Sequence, residues 1–502
     1  MNRPIRVLAV GCLVLFVALL ARASYVQWWE ADDLSSVSTH DNNLRVLNEQ
    51  FSRQRGAIIV GTKSIALSKK SGDKYKYARK YTSPEEYAHI TGYYSRDYGL
   101  GGLESSRNSV LSGEDSSLFL NRVVDLMDNR APKGGSVVTT LNAAAQDAAY
   151  NGLQGKVGAV VALRPSTGAI LAMASTPTYD PNKLATHDFD KVSGYKNSLL
   201  KEKPSPLDNS AIETVVPPGS TFKIVTTAAA LSSGKYTPDS LVPGAASMKL
   251  PLSTHRLTNE NGFSCGATKV TLTVALEKSC NVAFGTVGEK LGVKRLTEQA
   301  KKFGFTATED NALQDPHTYF DQLDDSLTHQ AASRFPADAD APQTVLASIG
   351  QGNVAATPLQ MAMVVAGVAN NGVVMKPYIV AQTESADLDV QNKTTPEELP
   401  DQPAISPSVA GQITDMMVKV VDVGTGTPAR IPNVEVAGKT GTAQSEASRP
   451  PYAWFVSFAP AHDPQVAVAV LIKDAGVARD AISGGGLAAP IAKAVMEAVL
   501  KP

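Results

Sequence analysis

The chain opens on Arg3 and Arg6, runs through unbroken apolar residues from Val7 to Ala21, and passes Arg22 before Tyr25, Trp28 and Trp29. Basic residues on one flank and aromatics on the other mark a membrane-interface segment that leaves the remainder outside the cytoplasm. Fifteen apolar residues are few beside the roughly 20 of a full span, and Ala21-Arg22-Ala23 has the look of a signal-peptidase site. The aromatic residues that follow Arg22, whose long side chain can snorkel, favour an anchor over a cleaved signal. Either outcome exports the body.

Beyond this segment the pattern changes several times. Residues 30 to 140 are polar and tyrosine-rich, with a basic run from Lys69 to Lys80, and they end at the break Asn129-Arg-Ala-Pro-Lys-Gly-Gly135. Two apolar runs, Val157 to Leu163 and Ala169 to Ala174, bracket Pro165-Ser-Thr-Gly168, which predicts a strand hairpin. From Ser220 to about Val368 the spacing is helical, as in Val282, Phe284, Val287 and Leu291, apart from an Asp-rich loop between Glu309 and Asp340. A polar stretch from Thr383 to Ala404 predicts a surface excursion. Strands return at Val434 to Gln444, Ala453 to Ala459 and Val466 to Ile472, before a last helix from Ala488 to Leu500. Strands that begin before the helices and resume after them predict one antiparallel sheet interrupted by a helical insertion, an α/β arrangement. Three units follow: an anchor or signal segment at 1–29, a separate module at 30–140 and a main domain at 141–502.

Candidate chemistry centres on Pro217-Pro-Gly-Ser-Thr-Phe-Lys-Ile-Val225. Ser220 and Lys223 stand one turn apart and share a face. A hydroxyl becomes a useful nucleophile when a neighbouring base removes its proton, and a lysine kept neutral by apolar surroundings can be that base. Ile224, Val225, Ala228, Ala229, Ala230 and Leu231 supply those surroundings before Gly234 ends the helix. Ser71 with Lys74, Ser193 with Lys196, Ser198 with Lys201 and Ser232 with Lys235 repeat the spacing, but their polar or broken contexts cannot tune a lysine. Ser279-Cys280-Asn281 follows about sixty residues on, and Lys439-Thr440-Gly441-Thr442 lies beyond it.

Other patterns carry less. Ser106-Arg107-Asn108 repeats Ser-x-Asn in what reads as a cap or turn. Gly262-Phe-Ser-Cys-Gly266 matches a nucleophile elbow without the strand and helix that an elbow needs. Asn433 to Thr440 approaches a phosphate-binding loop but has Asn433 where its first glycine belongs, and it is strand-like. A net charge of −1 over 502 residues, without a basic stripe, gives no nucleic-acid footprint. The histidines, His40, His89, His187, His255, His317, His329 and His462, show no metal-ligand spacing. With Cys12 in the N-terminal segment, Cys265 and Cys280 remain as a pair in an oxidising compartment. They form a disulfide closing a loop of about 15 residues, or else stay as two buried thiols.

The ordered set Ser220-x-x-Lys223, Ser279-x-Asn281 and Lys439-Thr440-Gly441 resembles the three signatures of the penicillin-recognising serine enzymes. Arg55-Gly-Ala-Ile58, Gly99-Leu-Gly-Gly-Leu-Glu104 with Leu111-Ser-Gly113, Tyr179-Asp-Pro-Asn182, Gly350-Gln-Gly352, Thr357-Pro-Leu-Gln360 and Ala453-Trp-Phe455 extend the likeness over essentially the whole chain. The chain is similar to the class B penicillin-binding proteins of the penicillin-binding protein A group. It departs from them at Cys280, where Asp is usual, and at Asn209-Ser-Ala211, where Asn-Arg-Ala is usual.

The resemblance implies a penicillin-recognising serine transpeptidase fold, an antiparallel sheet flanked by helices with a helical subdomain, behind an N-terminal α+β non-catalytic pedestal or dimerisation module. It implies Ser220 as nucleophile, Lys223 as base, Ser279 as proton relay, and Asn281 and Lys439 as partners of Lys223. Thr440, Gly441 and Thr442 bind substrate. The implied reaction is acyl transfer from a D-Ala-D-Ala stem peptide or its lipid-linked precursor during division or elongation, with β-lactams as covalent inhibitors. Cell-division or elongation proteins are implied partners, and no cofactor is. A β-lactamase or β-lactam sensor shares the site but needs a second base for water, and no Glu-x-x-Leu-Asn follows Ser279. A non-catalytic division scaffold would not need intact Ser220, Lys223, Ser279 and Lys439.

Overall fold

The computed structural model describes residues 3–28, 51–118, 133–308, 330–444 and 450–501. Trp29, His317, His329, most of the Asp-rich loop and the start of the break at Asn129 lie outside the described residues.

Helix α1 (Arg3–Trp28) is continuous over 26 residues. Its side chains from Val10 to Arg22 are exposed, and the Arg22 guanidinium lies 5.3 Å from the Tyr25 ring centroid. No helix among the described residues is long and apolar enough to cross a membrane. The apolar run of 15 residues makes about 22 Å of helix against roughly 30 Å of hydrocarbon.

The body then follows in chain order: β1 (Ile58–Val60), β2 (Lys63–Lys70), β3 (Tyr77–Tyr81), α2 (Pro84–Thr91), β4 (Ser136–Thr139), α3 (Ala143–Gly152), β5 (Val157–Leu163) and β6 (Ile170–Thr176). The helical insertion contributes α4 (Lys223–Ser232), α5 (Leu272–Glu277), α6 (Asn281–Leu291) and α7 (Pro358–Ala369). The hairpin β7 (Val380–Glu384) and β8 (Val390–Lys393), helix α8 (Pro407–Asp422), strands β9 (Ala437–Ala443), β10 (Tyr452–Ala459) and β11 (Val466–Asp474), and helix α9 (Ala489–Leu500) complete it.

The main sheet has the order β9-β10-β11-β5-β6 and is antiparallel throughout. The first and last stretches of the domain therefore meet, with Val160 opposite Val470. Side chains alternate with period two. Val160, Ala162, Phe455, Val468 and Val470 pack with Ala145 and Ala149 of α3 and Val495 of α9. Ala159, Val161, Trp454, Val456 and Leu471 face the opposite way, in the cluster that contains Ile224 of α4 and Met361 of α7. Both faces are covered, which is why these strands read as continuous apolar runs. Pro358 opens α7 and Thr357 accepts from the Gln360 N–H, so the local sequence sets that helix start.

A second sheet has the order β8-β7-β4-β1-β2-β3, with β1 and β4 parallel. Here the expectation changes. The stretch from Thr383, read as a surface excursion, begins inside β7, which pairs with β4 and extends the N-terminal module's own sheet. Its polar residues suit an edge hairpin, buried on one face at most.

Under this sheet the Arg55 and Glu104 segments meet. Arg55 Nε and Arg79 Nε each donate to the fully buried Glu104 carboxylate at 2.6 Å, and Tyr81 Oη donates at 3.2 Å. Burial pushes the Glu104 carboxyl up, but the two guanidiniums outweigh it and hold it below its ordinary value. Asn182 fastens the module to the main domain, accepting from Tyr81 N at 2.9 Å and donating to Tyr81 O at 3.1 Å.

Candidate active site

Gly219–Phe222 forms one 3₁₀ turn and α4 begins at Lys223, where the sequence pattern pointed to α-helix throughout. Residues three apart eclipse in the tighter turn. Lys223 Nζ accordingly lies 2.9 Å from Ser220 Oγ. Gly219 adopts φ +54°, and a Cβ there would meet Thr442 O at 2.9 Å. Glycine thus permits both the backbone shape and the close approach of β9.

Ser279 reaches Lys223 from the C-terminus of α5. Ser279 N–H donates to Leu276 O at 3.1 Å and Cys280 N–H to Ala275 O at 2.8 Å. This is a Schellman ending, with Ser279 at the left-handed position, φ +59°, that usually holds glycine. Helix α6 starts two residues later, and Asn259 Oδ1 accepts from Val282 N–H at 3.0 Å, capping a helix whose own N-cap residue, Cys280, offers no side-chain bond. Cys265 and Cys280 are bonded, with Cα atoms 6.2 Å apart. Of the two states left open by the sequence, the structure has the disulfide.

Lys223 Nζ has four oxygen neighbours: Ser279 O at 2.7 Å, Asn281 Oδ1 at 2.7 Å, Ser220 Oγ at 2.9 Å and Ser279 Oγ at 3.2 Å. The two shortest contacts are to oxygens that carry no proton. A neutral amine has two N–H donors and one lone pair, so filling those two contacts leaves the lone pair for a hydroxyl. Lys223 is fully buried. Burial holds it well below the ordinary lysine range, and the nearby Lys439 ammonium pushes the same way.

Lys439 sits on β9, the edge strand of the main sheet, and is also fully buried. Its Nζ donates to Ser279 Oγ at 2.9 Å and to Thr440 O at 2.9 Å. Burial lowers Lys439 to about 7, against an opposing pull from Glu260. An edge strand offers unpaired backbone groups to an extended peptide. Gly441 keeps this edge narrow, since a Cβ there would lie 3.0 Å from Thr221 Cγ2 and 3.1 Å from Pro218 O. Thr440 is buried and Thr442 half-buried.

Several groups at the site were not singled out from the sequence. Thr425 Oγ1 lies 2.6 Å from Thr440 Oγ1 and fixes its rotamer. Gly484 packs so closely on Gly441 and Trp454 that a Cβ would collide with their backbones; the run Gly484-Gly-Gly486 was the available signal. Asn259 and Glu260 gave none, being ordinary loop residues until the disulfide and α6 place them. The elbow-like Ser264 is exposed behind the 3₁₀ turn Glu260–Gly262, and the loop-like run before Thr440 enters strand β9. Among the described residues no group of His, Cys, Asp and Glu could hold a metal ion.

The chain matches the penicillin binding protein transpeptidase domain family over residues 158–497. Residues 55–137 match the penicillin binding protein A dimerisation domain family. It is 42% identical to the peptidoglycan D,D-transpeptidase PbpA of Mycolicibacterium smegmatis, over 100% of this chain and 99% of that protein. It is 39% identical to the Mycobacterium tuberculosis protein of the same name, with the same coverage. Among solved structures, the ceftriaxone acyl-enzyme complex of M. tuberculosis penicillin-binding protein A superposes with a TM-score of 0.83 at 38% identity, covering 90% of this chain and 100% of that one. The crystal structure of M. tuberculosis PBPA superposes with a TM-score of 0.82 at 39% identity, covering 90% of this chain and 100% of that one. Family match, identity and fold agree: the chain belongs to the class B penicillin-binding proteins.

Proposed function

We propose that the protein is a serine D,D-transpeptidase that cross-links peptidoglycan stem peptides through an acyl-enzyme on Ser220, and that β-lactams acylate the same serine. One observation carries the reading: Lys223 Nζ contacts two proton-free acceptors and the Ser220 hydroxyl together. Ser220 Oγ attacks the carbonyl between the two terminal D-alanines while its proton passes to the Lys223 lone pair. The C–N bond breaks, and Ser279 Oγ relays that proton to the departing D-alanine. An amine acceptor then attacks the ester, and Oγ regains a proton as it leaves.

The oxyanion is assigned to the backbone N–H groups of Ser220 and Thr442, donors of the kind that supply several kcal/mol in acyl transfer. Thr440 and Thr442 hydroxyls, with the Lys439 charge, hold the terminal carboxylate. Asn281 keeps Lys223 in place. Residues 30–140 form the non-catalytic module and 141–502 the catalytic domain. The exposed apolar helix α1, with Arg3 at its start, supports anchorage in the membrane with the body on the outer side. The enzyme acts in wall synthesis during division or elongation.

Turnover of a D-Ala-D-Ala-terminated stem peptide in the presence of an amine acceptor tests this. Release of D-alanine with formation of the new amide is expected. Release without amide would make the protein a carboxypeptidase, and no release would contradict the reading.

A further inference from the structure

Making a new amide requires an amine acceptor, which reaches a neutral solution mostly as an ammonium ion. The donor half of the cleft, around Lys439, Thr440 and Thr442, carries positive charge and hydroxyls suited to an anion. A second substrate of opposite charge needs a different surface.

The short strand Arg256–Thr258 and the loop 259–265 that follows it are fastened to residues 280–282, next to Ser279, at three points. Asn281 Nδ2 donates to Thr258 O at 2.9 Å, Asn259 Oδ1 accepts from Val282 N–H at 3.0 Å, and Cys265 is bonded to Cys280. Asn259 Nδ2 also donates at 2.9 Å to Phe263 O, closing the loop on itself, and at 2.9 Å to Ala245 O outside it. Between these fastenings the 3₁₀ turn Glu260–Gly262 carries Glu260, exposed. Phe263, 74% exposed, stands beside it. So much anchoring is more than an idle surface turn requires.

Resting on the transpeptidase reading, we propose that Glu260 holds the ammonium group of the acceptor strand at the rim of the cleft, next to the acyl-enzyme on Ser220. Its neighbours Thr258 and Asn259 bond directly to Asn281 and Val282, beside the reacting atoms, and its charge opposes loss of a proton at both Lys223 and Lys439. Glu260 forms no bond to the acyl group. It raises the local concentration of the cationic acceptor, which passes its proton to the neutral Lys223 or to solvent before attacking. Phe263 offers an apolar face to the methylenes beside that amine. The disulfide and Asn259 keep the carboxylate at a fixed place relative to Ser279.

The test is the ratio of transfer to hydrolysis, with a D-Ala-D-Ala-terminated stem peptide as donor and glycinamide as acceptor. Both products arise from one acyl-enzyme, so the ratio is independent of the acylation rate. E260Q is expected to lower it about fivefold, the scale of one screened charge pair, through a higher KM for glycinamide. E260K lowers it further and E260D largely keeps it. Added salt erodes the ratio in the wild type and leaves E260Q unmoved, and transfer to methanol, an uncharged nucleophile, is the same in all variants. A ratio indifferent to E260Q and E260K overturns the acceptor role alone. A wild-type enzyme forming neither product overturns the transpeptidase reading and this proposal with it.

Discussion

Lys439 Nζ donates to Ser279 Oγ at 2.9 Å, across 160 residues of chain. Lys223 Nζ reaches the same oxygen from the other side at 3.2 Å. Two buried amines on one hydroxyl cannot both carry charge cheaply, which supports the proposed division of work: Lys223 neutral and available as a base, Lys439 keeping its proton longer.

This division predicts a falling limb in the pH profile near neutrality. Lys439 is charged below about 7 and neutral above it, so its hold on a substrate carboxylate is lost as pH rises through that value. The acylation rate of Ser220 by penicillin G, followed from pH 5 to 9, should therefore decline on the alkaline side. A rate still climbing at pH 9 would contradict a charged role for Lys439. The acid limb belongs to protonation of Lys223, which burial and the Lys439 charge hold well below the ordinary lysine range.

Ser279 holds a backbone shape better suited to glycine, φ +59°. Its hydroxyl is the reason proposed for keeping it there. Ser279→Gly and Ser279→Ala both remove the relay and should slow acylation by two orders of magnitude or so, the scale of lost acid–base assistance. Their stabilities should differ: the glycine variant unfolds with a ΔG about 1 kcal/mol higher than the alanine variant, because Cβ is disfavoured in the left-handed region. Urea denaturation of the two variants measures this, and equal midpoints would remove the strain argument.

The Cys265–Cys280 bond closes a loop of sequence separation 15, worth about 3 kcal/mol in the chain-entropy model. It also ties the loop to Ser279 and Asn281. Dithiothreitol, or Cys265→Ser with Cys280→Ser, should lower the thermal midpoint and slow acylation together. A lower midpoint with unchanged acylation would make the bond a stabiliser only.

The three motifs to which the proposed chemistry is assigned were legible because each is local in sequence, and burial distinguishes Lys223 from its look-alikes: Lys74, Lys201 and Lys235 are all exposed. The main sheet was legible for a related reason, since strands covered on both faces leave long apolar runs at Val157 and Val466. What could not be read depends on distant partners. The hairpin at Val380–Lys393 is polar and gives no sign that it joins a sheet begun at Ile58. The Schellman turn at Ser279 lacks its usual glycine, and Asn259 caps a helix that begins 22 residues later. Glu104 is a charged residue whose burial makes sense only once Arg55 and Arg79 surround it.

That last cluster gives a prediction for the N-terminal module. Glu104→Gln leaves two guanidiniums buried without a counter-charge, and breaking such a pair from one side costs on the order of 3–5 kcal/mol. The module should unfold at lower temperature or denaturant, detectable as early proteolysis between residues 55 and 137. Resistance equal to the wild type would show that solvent reaches the arginines.

The central claim is that Ser220, poised by Lys223, is the nucleophile. Incubating the protein with fluorescent penicillin and mapping the adduct by mass spectrometry tests it most directly. A stable acyl group on Ser220, absent from Ser220→Ala and strongly slowed in Lys223→Ala, is the predicted result; a label on another residue, or none, would contradict it.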